Sequence, residues 1–370
     1  MRNILDMDFY ELGNVENKMA KIYIGGAGGA PSNGFIRSLR ESARNDYLIG
    51  TSCTATDLFL ADVDEKHVVP SALDSGYKET FVSLLDKTKP DFVHFQNDFE
   101  VRAVSRLRHH LDQAGIGYFM PSAEVIENCV NKEKSYAIWK HEGVNVPETM
   151  SLHSPDDLKK AFDCLGDKIW IRATEGGGGK GALPTDNFDF ARIWIDRYNG
   201  WGRFTASTLL SEDTVTWLSI WYEGELVVAQ TRKRLSWNFG NRTLSGITGI
   251  TGVGQTCSDP EIDRIAQDAI RTLGCWPHGI YGVDMTYGFD GVAYVTEINI
   301  SRFFTTHYFF TKAGLNMPEI YCDIALNGTF PALDKKINPL PDDLIWIRGM
   351  DVEPVLITLS DLEQLKAGQP

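Results

Sequence analysis

The stretch KIWIRATEGGGGKGALPT, residues 168–185, sets Gly176, Gly177, Gly178 and Gly179 in a row between Glu175 and Lys180. Glycine loses more backbone freedom on ordering than any other residue, so such a run inside a folded domain calls for a reason. One reason is a flap over phosphate groups. The bare backbone approaches closely, its N–H groups donate to phosphate oxygens, and Lys180 adds a charge. The plainer reading is a flexible β-turn, and the loop alone does not choose between the two. A P-loop is excluded, because Thr174 stands where its first glycine belongs and Gly181 where its Ser or Thr belongs. Gly176, Gly178 and Gly181 do satisfy G-x-G-x-x-G, but the flanking KIWIR and GALPT read as strands. A dinucleotide fingerprint needs strand, loop and then helix. The N-terminal GGAGGAPSNG sits in the right place for one but has the wrong spacing, and no acid closes the strand YLIGTS beyond it.

A second constellation lies in YVTEINISRF, residues 294–303. Glu297 and Asn299 are two apart on a strand, so their side chains share a face. A hairpin turning at Phe289 and Asp290 sets Asp284 opposite Val295, on that face and diagonal to Glu297. Two carboxylates and an amide are hard ligands that suit Mg²⁺, which keeps water and phosphate oxygens as its other ligands. A solvated strand face is the alternative, and the aromatic and β-branched neighbours argue against it. In TRKRLSW, Arg232 and Arg234 alternate with Lys233. Either this is a basic strand end in water, or the two arginines face a phosphate or a substrate carboxylate with their planar forks.

The elements that must position these residues read in two styles. From residue 21 to about 121, KIYIGG, YLIGTS, DFVHF and GYFMP alternate with the helical FIRSLRES, YKETFVSLLDKT and VRAVSRLRHHLDQAG. Strands alternating with helices predict a parallel, doubly wound sheet. HFQNDFE ends one of its strands, where open α/β sheets place ligands, so His94, Gln96, Asp98 and Glu100 stand near an acceptor's place. Beyond that the pattern changes. NKEKSYAIWKHEG reads as a helix and VNVPETM as a strand. SPDDLKKAFDCLG carries Ser154 as N-cap, Pro155 behind it and Gly166 as stop. ASTLLSE, WLSIWY and ELVVAQTRKRL are strands. SDPEIDRIAQDAIRTLG is a helix with Ile262, Ile265, Ala266, Ala269, Ile270 and Leu273 on one face. GVDMTYGFDGVAYVTEIN is a hairpin, and residues 331–370 form a Pro- and Asp-punctuated tail expected to pack on the rest.

Composition limits the partners. With 36 basic against 50 acidic residues the net charge is −14, which argues against tracking a nucleic-acid backbone or lying on anionic lipid. Six scattered cysteines without metal spacing read as isolated, mostly buried thiols of a reducing compartment. The first twenty residues hold acids instead of an apolar signal core and read as a loose extension, with Met19 as a second start. No apolar run approaches the ~20 residues of a membrane span. The expected location is the cytoplasm.

From about residue 20 to 330 the chain resembles the ATP-grasp superfamily, closest in style to the modules of the carbamoyl phosphate synthetase large subunit. The resemblance rests on NKEKSYAIWKHEGVNVPET, IWIRATEGGGGKGA, LLSEDTV and VTEINISR, in that order. It implies an α/β plus α+β architecture: an extension over 1–20 and a Rossmann-like preATP-grasp domain over 21–121. A small lid subdomain with the flap over 122–205, a core subdomain with the metal site over 206–330 and the tail 331–370 complete it. By the same carry-over Lys132 and Arg172 contact ATP phosphates, and Glu175, Gly176, Gly177, Gly178, Gly179 and Lys180 form the flap. Glu212 sits at the adenine and ribose hinge, and Asp284, Glu297 and Asn299 hold Mg²⁺, with Mn²⁺ as a substitute. Arg232, Arg234 and Arg302 are the catalytic arginines. Family members show Glu-x-Asn-Pro-Arg where this chain has Ile300 and Ser301 before Arg302, which leaves the role of Arg302 open. TVTWLSIWY offers no second ribose-binding Glu, and GITGITGVGQT stands where the synthetase has its His-and-Asp bicarbonate loop.

The activity so implied is an ATP- and Mg²⁺-dependent ligase. It forms an acyl phosphate from a small carboxylate, then an amide with an amine acceptor, releasing ADP and phosphate. Carboxyphosphate or carbamoyl-phosphate chemistry on bicarbonate is one alternative, and a non-catalytic nucleotide-binding subunit is another. The expected partners are those small molecules, with neither nucleic acid nor membrane, and with a homodimer left open.

Overall fold

The computed structural model describes residues 19–179, 181–349 and 359–368. Short apolar runs make β1 (Lys21–Gly25), β2 (Tyr47–Ser52), β3 (Glu65–Val68), β4 (Phe92–Phe95) and β5 (Gly117–Tyr118). These pair in parallel in the order β3-β2-β1-β4-β5. The order reverses between β1 and β4, so the crevice outside their carboxyl ends is bounded by Gly25–Gly29 and Gln96–Asp98. The stretch VRAVSRLRHHLDQAG, expected as one helix, forms two, Asp98–Ser105 and Arg108–Ala114. Asn97 caps the first by accepting from the Glu100 amide at 2.9 Å.

A second unit carries β6 (Thr149–Leu152), β7 (Ile169–Ala173), β8 (Leu183–Thr185) and β9 (Phe204–Thr208). They form an antiparallel sheet in the order β6-β9-β7-β8, and β9 reaches Thr208, past the expected boundary at residue 205. The helices Pro155–Leu165 and Phe188–Arg197 belong to it, and Ser154 caps the first as read. Leu152, Leu158, Ile169, Ile171, Ile195 and Phe204 make a core cluster of their own. This unit therefore has a hydrophobic core of its own.

The third sheet is built from β10 (Thr214–Tyr222), β11 (Glu225–Trp237), β12 (Thr251–Cys257), β13 (Gly279–Tyr287), β14 (Ala293–Ile300) and β15 (Ile345–Ile347). It is antiparallel in the order β14-β13-β10-β11-β12-β15. Two expectations shift here. Much of GITGITGVGQT is strand β12, and the tail contributes β15 to the sheet's edge. The helix Pro260–Leu273 buries all six residues of its apolar face. Tyr23 and Phe81 of the parallel-sheet domain join Trp217 and Ile265 in one core cluster, so these two units pack as a single body.

All six cysteines are free, but only Cys129, Cys257 and Cys322 are buried; Cys53, Cys164 and Cys275 are exposed, so "mostly buried" does not hold. Among the described residues no helix is long and apolar enough to cross a membrane.

Candidate active site

A cleft of about 940 Å³ opens between the four-stranded and the six-stranded sheets. On β7, Ile169 and Ile171 point into the core of the four-stranded unit, so the alternate residues Trp170 and Arg172, with Lys168 just before the strand, line the cleft. Thr214, Arg234, Asp284, Thr296 and Glu297 line it from the sheet, Gly176–Gly179 from the flap, and Glu212 from the segment joining β9 to β10.

The β13–β14 hairpin closes as expected, with the Gly288 amide donating to Val292 O at 2.8 Å. Its register differs from the ideal. Asp284 pairs directly with Glu297 and Met285 with Val295, leaving Thr296 as the extra residue of a β-bulge. Asp284 therefore does not lie opposite Val295. The Thr296 hydroxyl donates to Asp284 O at 3.0 Å, and its carbonyl accepts from Arg172 Nη2 at 2.8 Å. A direct cross-strand pair sits closer than a diagonal one, so the bulge tightens the two carboxylates. Asn299 Nδ2 donates to Asp284 Oδ2 at 2.8 Å. Lys132 Nζ lies 3.3 Å from Glu297 Oε2 and donates to Gly176 O at 2.6 Å. Burial by itself would raise the Glu297 carboxyl, but Lys132, Arg172 and Arg302 outweigh it and hold the group below its ordinary value. Among the described residues no three His, Cys, Asp or Glu side chains gather as a metal site. The two carboxylates facing the cleft fit a hard cation completed by water and phosphate oxygens, whereas the expected third ligand, Asn299, has its amide engaged by Asp284 and Arg302.

Arg232 and Arg234 are not a solvated strand end. Both face the sheet's polar side, opposite Thr216 and Thr214. Arg232, 1 % exposed, donates from Nη2 to Thr216 Oγ1 at 2.7 Å and from Nη1 to Thr251 Oγ1 at 2.8 Å. The Thr216 hydroxyl passes this on by donating to Asp284 Oδ1. Arg234 donates to Thr214 Oγ1 at 2.6 Å and to Thr251 Oγ1 at 3.0 Å, with Trp237 stacked on its guanidinium at 3.8 Å. Its Nη2 lies 3.7 Å from Asp284 Oδ1. Burial pushes both guanidinium pKa values down, and for Arg232 the charge of Arg234 adds to it. Such buried positive charge favours an anion in the cleft.

The departure before Arg302 is absorbed by one residue. Ser301 takes the left-handed conformation, φ 56°. Arg302 then donates to Asn299 Oδ1 and holds Asp98 with Nε at 2.6 Å and Nη2 at 3.2 Å. Burial alone would lower its pKa, but Asp98 and Glu297 raise it.

Lys132, Arg172, Gly176–Gly179, Glu212, Arg234, Asp284 and Glu297 thus line one cleft. Arg232, Asn299 and Arg302 stand behind its wall and act on it through Thr216 and Asp284. Glu175 turns to Arg102 at 3.1 Å instead of into the cleft. Lys180 lies outside the described residues. Gly178 and Gly179 have φ of 68° and 70°; a Cβ on Gly179 would meet Ile247 O at 2.8 Å, and one on Gly249 would meet Gly178 Cα at 2.7 Å. The flap therefore lies backbone to backbone against residues 247–249, and only glycine permits that approach.

In the crevice of the parallel sheet, His94 is structural, 1 % exposed and stacked on Phe35 at 4.2 Å. Gln96 accepts from the Phe303 amide at 3.0 Å, and Glu100 is buried against Tyr77. Asp98 reaches the site, through Arg302. The sequence reading missed Lys168, Thr216 and Thr251. The K-I-W-I-R alternation could have placed Lys168 beside Arg172; the threonines carry no local signal.

No family model matches the sequence, and no curated protein does. Solved structures do match in shape. Biotin carboxylase from Campylobacter jejuni, in a β,γ-ATP complex, superposes with a TM-score of 0.66 at 16% identity, over 85% of this chain and 72% of that one. L-amino acid ligase from Bacillus licheniformis gives 0.63 at 14%, over 83% and 74%. The biotin carboxylase domain of 2-oxoglutarate carboxylase from Hydrogenobacter thermophilus, with MgADP, ADP and bicarbonate, gives 0.65 at 16%, over 89% and 74%. The chain has the ATP-grasp fold of these enzymes.

Proposed function

We propose that this chain is an ATP- and Mg²⁺-dependent ligase that phosphorylates a carboxylate and passes the acyl group to an amine. The observation that carries the reading is the facing of cations and acids in one cleft: Lys132, Lys168, Arg172 and Arg234 around the Asp284–Glu297 pair, beneath a glycine flap. The lysines and Arg172 bind the polyphosphate, and the flap amides donate to it. Asp284 and Glu297 would hold Mg²⁺, which would supply charge neutralisation at the phosphate oxygens, and Asn299 orients Asp284 from behind. Arg234, backed by Arg232, binds the transferring phosphoryl group or the donor carboxylate.

A donor oxygen attacks the γ-phosphorus and ADP leaves; the amine then attacks the acyl carbon and expels phosphate, losing a proton. Neither step needs a nucleophile from the chain. What the protein supplies is in-line placement and fixed charge around the transferring oxygens. Closing the lid over the cleft keeps water from the acyl phosphate. The likeness to an enzyme whose name is L-amino acid ligase favours a small carboxylate donor. Carboxyphosphate formation from bicarbonate is the second reading, favoured by the likeness to a carboxylase domain holding bicarbonate. ADP release is measured over panels of small carboxylates and amines with Mg·ATP, in buffer stripped of bicarbonate. Release that requires both a donor and an amine supports the ligase. AMP as product, or no heat of binding with Mg·ATP by calorimetry, contradicts it.

A further inference from the structure

The helix Asp98–Ser105 belongs to the parallel-sheet domain, yet one face of it touches both the flap and the catalytic strand. Asp98 and Arg102 are four apart and so lie on the same side of the helix. Asp98 takes the fork of Arg302, whose Nη2 also reaches Asn299 Oδ1 on β14. A turn later, Arg102 donates from Nη1 to Glu175 Oε2 at 3.1 Å, at the base of the flap. The rest of the Arg102 guanidinium is fixed by Glu127, Nε to Oε2 at 2.8 Å, and Arg106 braces the same carboxylate at 2.9 Å. Hydrogen bonding to Glu127 and the charge of Glu175 raise the Arg102 pKa against its partial burial. Arg102 is therefore aimed by Glu127 on the helix Ala123–Val130 and has one arm left for the flap. The flap comes close to the other end of the face as well, since a Cβ on Gly177 would lie 4.0 Å from Asp98 Oδ2.

We propose that Arg102 is a positioning residue that latches the flap through Glu175. It ties flap closure to the helix whose first residue sets Arg302 against the metal-side amide. A ligand in the crevice between β1 and β4, next to Asp98, would then be felt at the flap. Its consequence for turnover rests on the ligase reading, but the latch itself does not. The pair is half in solvent, with side-chain exposures of 24% for Arg102 and 40% for Glu175. Its effect is accordingly small and screened by salt, on the order of a two- to five-fold change in the open fraction.

Glu175→Gln removes the attraction and leaves the Arg102–Glu127 pair in place. Amide hydrogen exchange of a peptide spanning residues 173–182 is compared in the wild type and this variant, at low salt and in 1 M NaCl. The expected result is a roughly two- to five-fold faster flap exchange in the variant at low salt, a difference that vanishes at high salt. Exchange in the helix Pro155–Leu165 stays unchanged, and Glu175→Asp recovers part of the protection. Equal flap exchange at low salt, or an acceleration that persists in 1 M NaCl, overturns the latch. Adding Mg·ATP separates the two claims: loss of nucleotide protection in both proteins counts against the ligase reading, whatever the salt-dependent difference shows.

Discussion

Thr216→Val keeps the side chain's volume and removes one hydroxyl that is 0% exposed. That hydroxyl accepts from Arg232 Nη2 at 2.7 Å and donates to Asp284 Oδ1. Hydrogen bonds to charged groups contribute about 1.5–3 kcal/mol each. The two losses are not equal. Asp284 keeps Asn299 Nδ2 at 2.8 Å and faces the cleft, so water takes the vacant place. Arg232 is left with Thr251 alone among hydroxyl partners and has no access to water. The expected destabilisation is thus about 2–3 kcal/mol, nearly all from the stranded guanidinium. Thr214→Val is the control: it frees Arg234, which lines the cleft and re-solvates, so the loss is about 1 kcal/mol or less. Urea unfolding of both variants beside the wild type, followed by tryptophan fluorescence, measures the difference. Losses that are equal, or a Thr216→Val loss below about 1 kcal/mol, refute the assignment of Thr216 as the link between the buried arginine and the carboxylate pair.

Three further outcomes are expected. Glu297→Ala abolishes ADP formation while the chain still folds, with a lowered melting point because Lys132 and Arg172 lose their carboxylate partner; turnover intact would make Glu297 structural. Gly178→Val impairs flap closure, since its φ of 68° is a left-handed conformation that a β-branched residue rarely adopts, and Mg·ATP affinity by calorimetry falls while adenosine affinity holds. Burial pushes the His94 pKa down to about 3 and that of His307 to about 4. Between pH 6.5 and 4 the unfolded chain therefore binds two protons that the fold refuses, and stability falls as pH drops by about 1.4 kcal/mol per pH unit for each histidine. Burial raises Glu100 to about 7, so its folded form binds a proton that the unfolded form has lost, and it opposes this slope between pH 4.5 and 7. Glu100→Gln should then steepen the rise of stability from pH 5 to 6.5 by about 1.4 kcal/mol per unit; an unchanged or shallower slope contradicts the burial account.

Much of the architecture was open to reading because it is local. The doubly wound alternation, the Ser154 cap and the apolar face of Pro260–Leu273 follow from period and capping alone. The flap glycines and the Asp284, Glu297, Asn299 set stood out because glycine runs and acids on core strands are costly without a purpose. What stayed hidden depends on distant partners. The bulge at Thr296 is held partly by Arg172, 124 residues away, so an ideal register was assumed and Asp284 was set opposite the wrong residue. Arg302 meets Asp98 and Asn299 just after a left-handed Ser301, which an isolated Ile-Ser pair does not announce. Glu175 looked like a nucleotide contact from its place beside the glycines, and a helix of another domain draws it away. The edge strand β15 needs β12 as its template, and a three-residue strand in a Pro-rich tail carries too little period to show itself.

Transfer of oxygen from donor to phosphate bears most directly on the proposed chemistry. A carboxylate that attacks ATP leaves one of its oxygens bridging carbon and phosphorus, and the amine expels that oxygen with the phosphate. With an ¹⁸O-labelled carboxylate donor identified by the ADP screen, in bicarbonate-depleted buffer, the inorganic phosphate should carry one label per turnover. Unlabelled phosphate would mean that water, not the donor, attacked ATP, and label in AMP would place the chain outside acyl-phosphate chemistry.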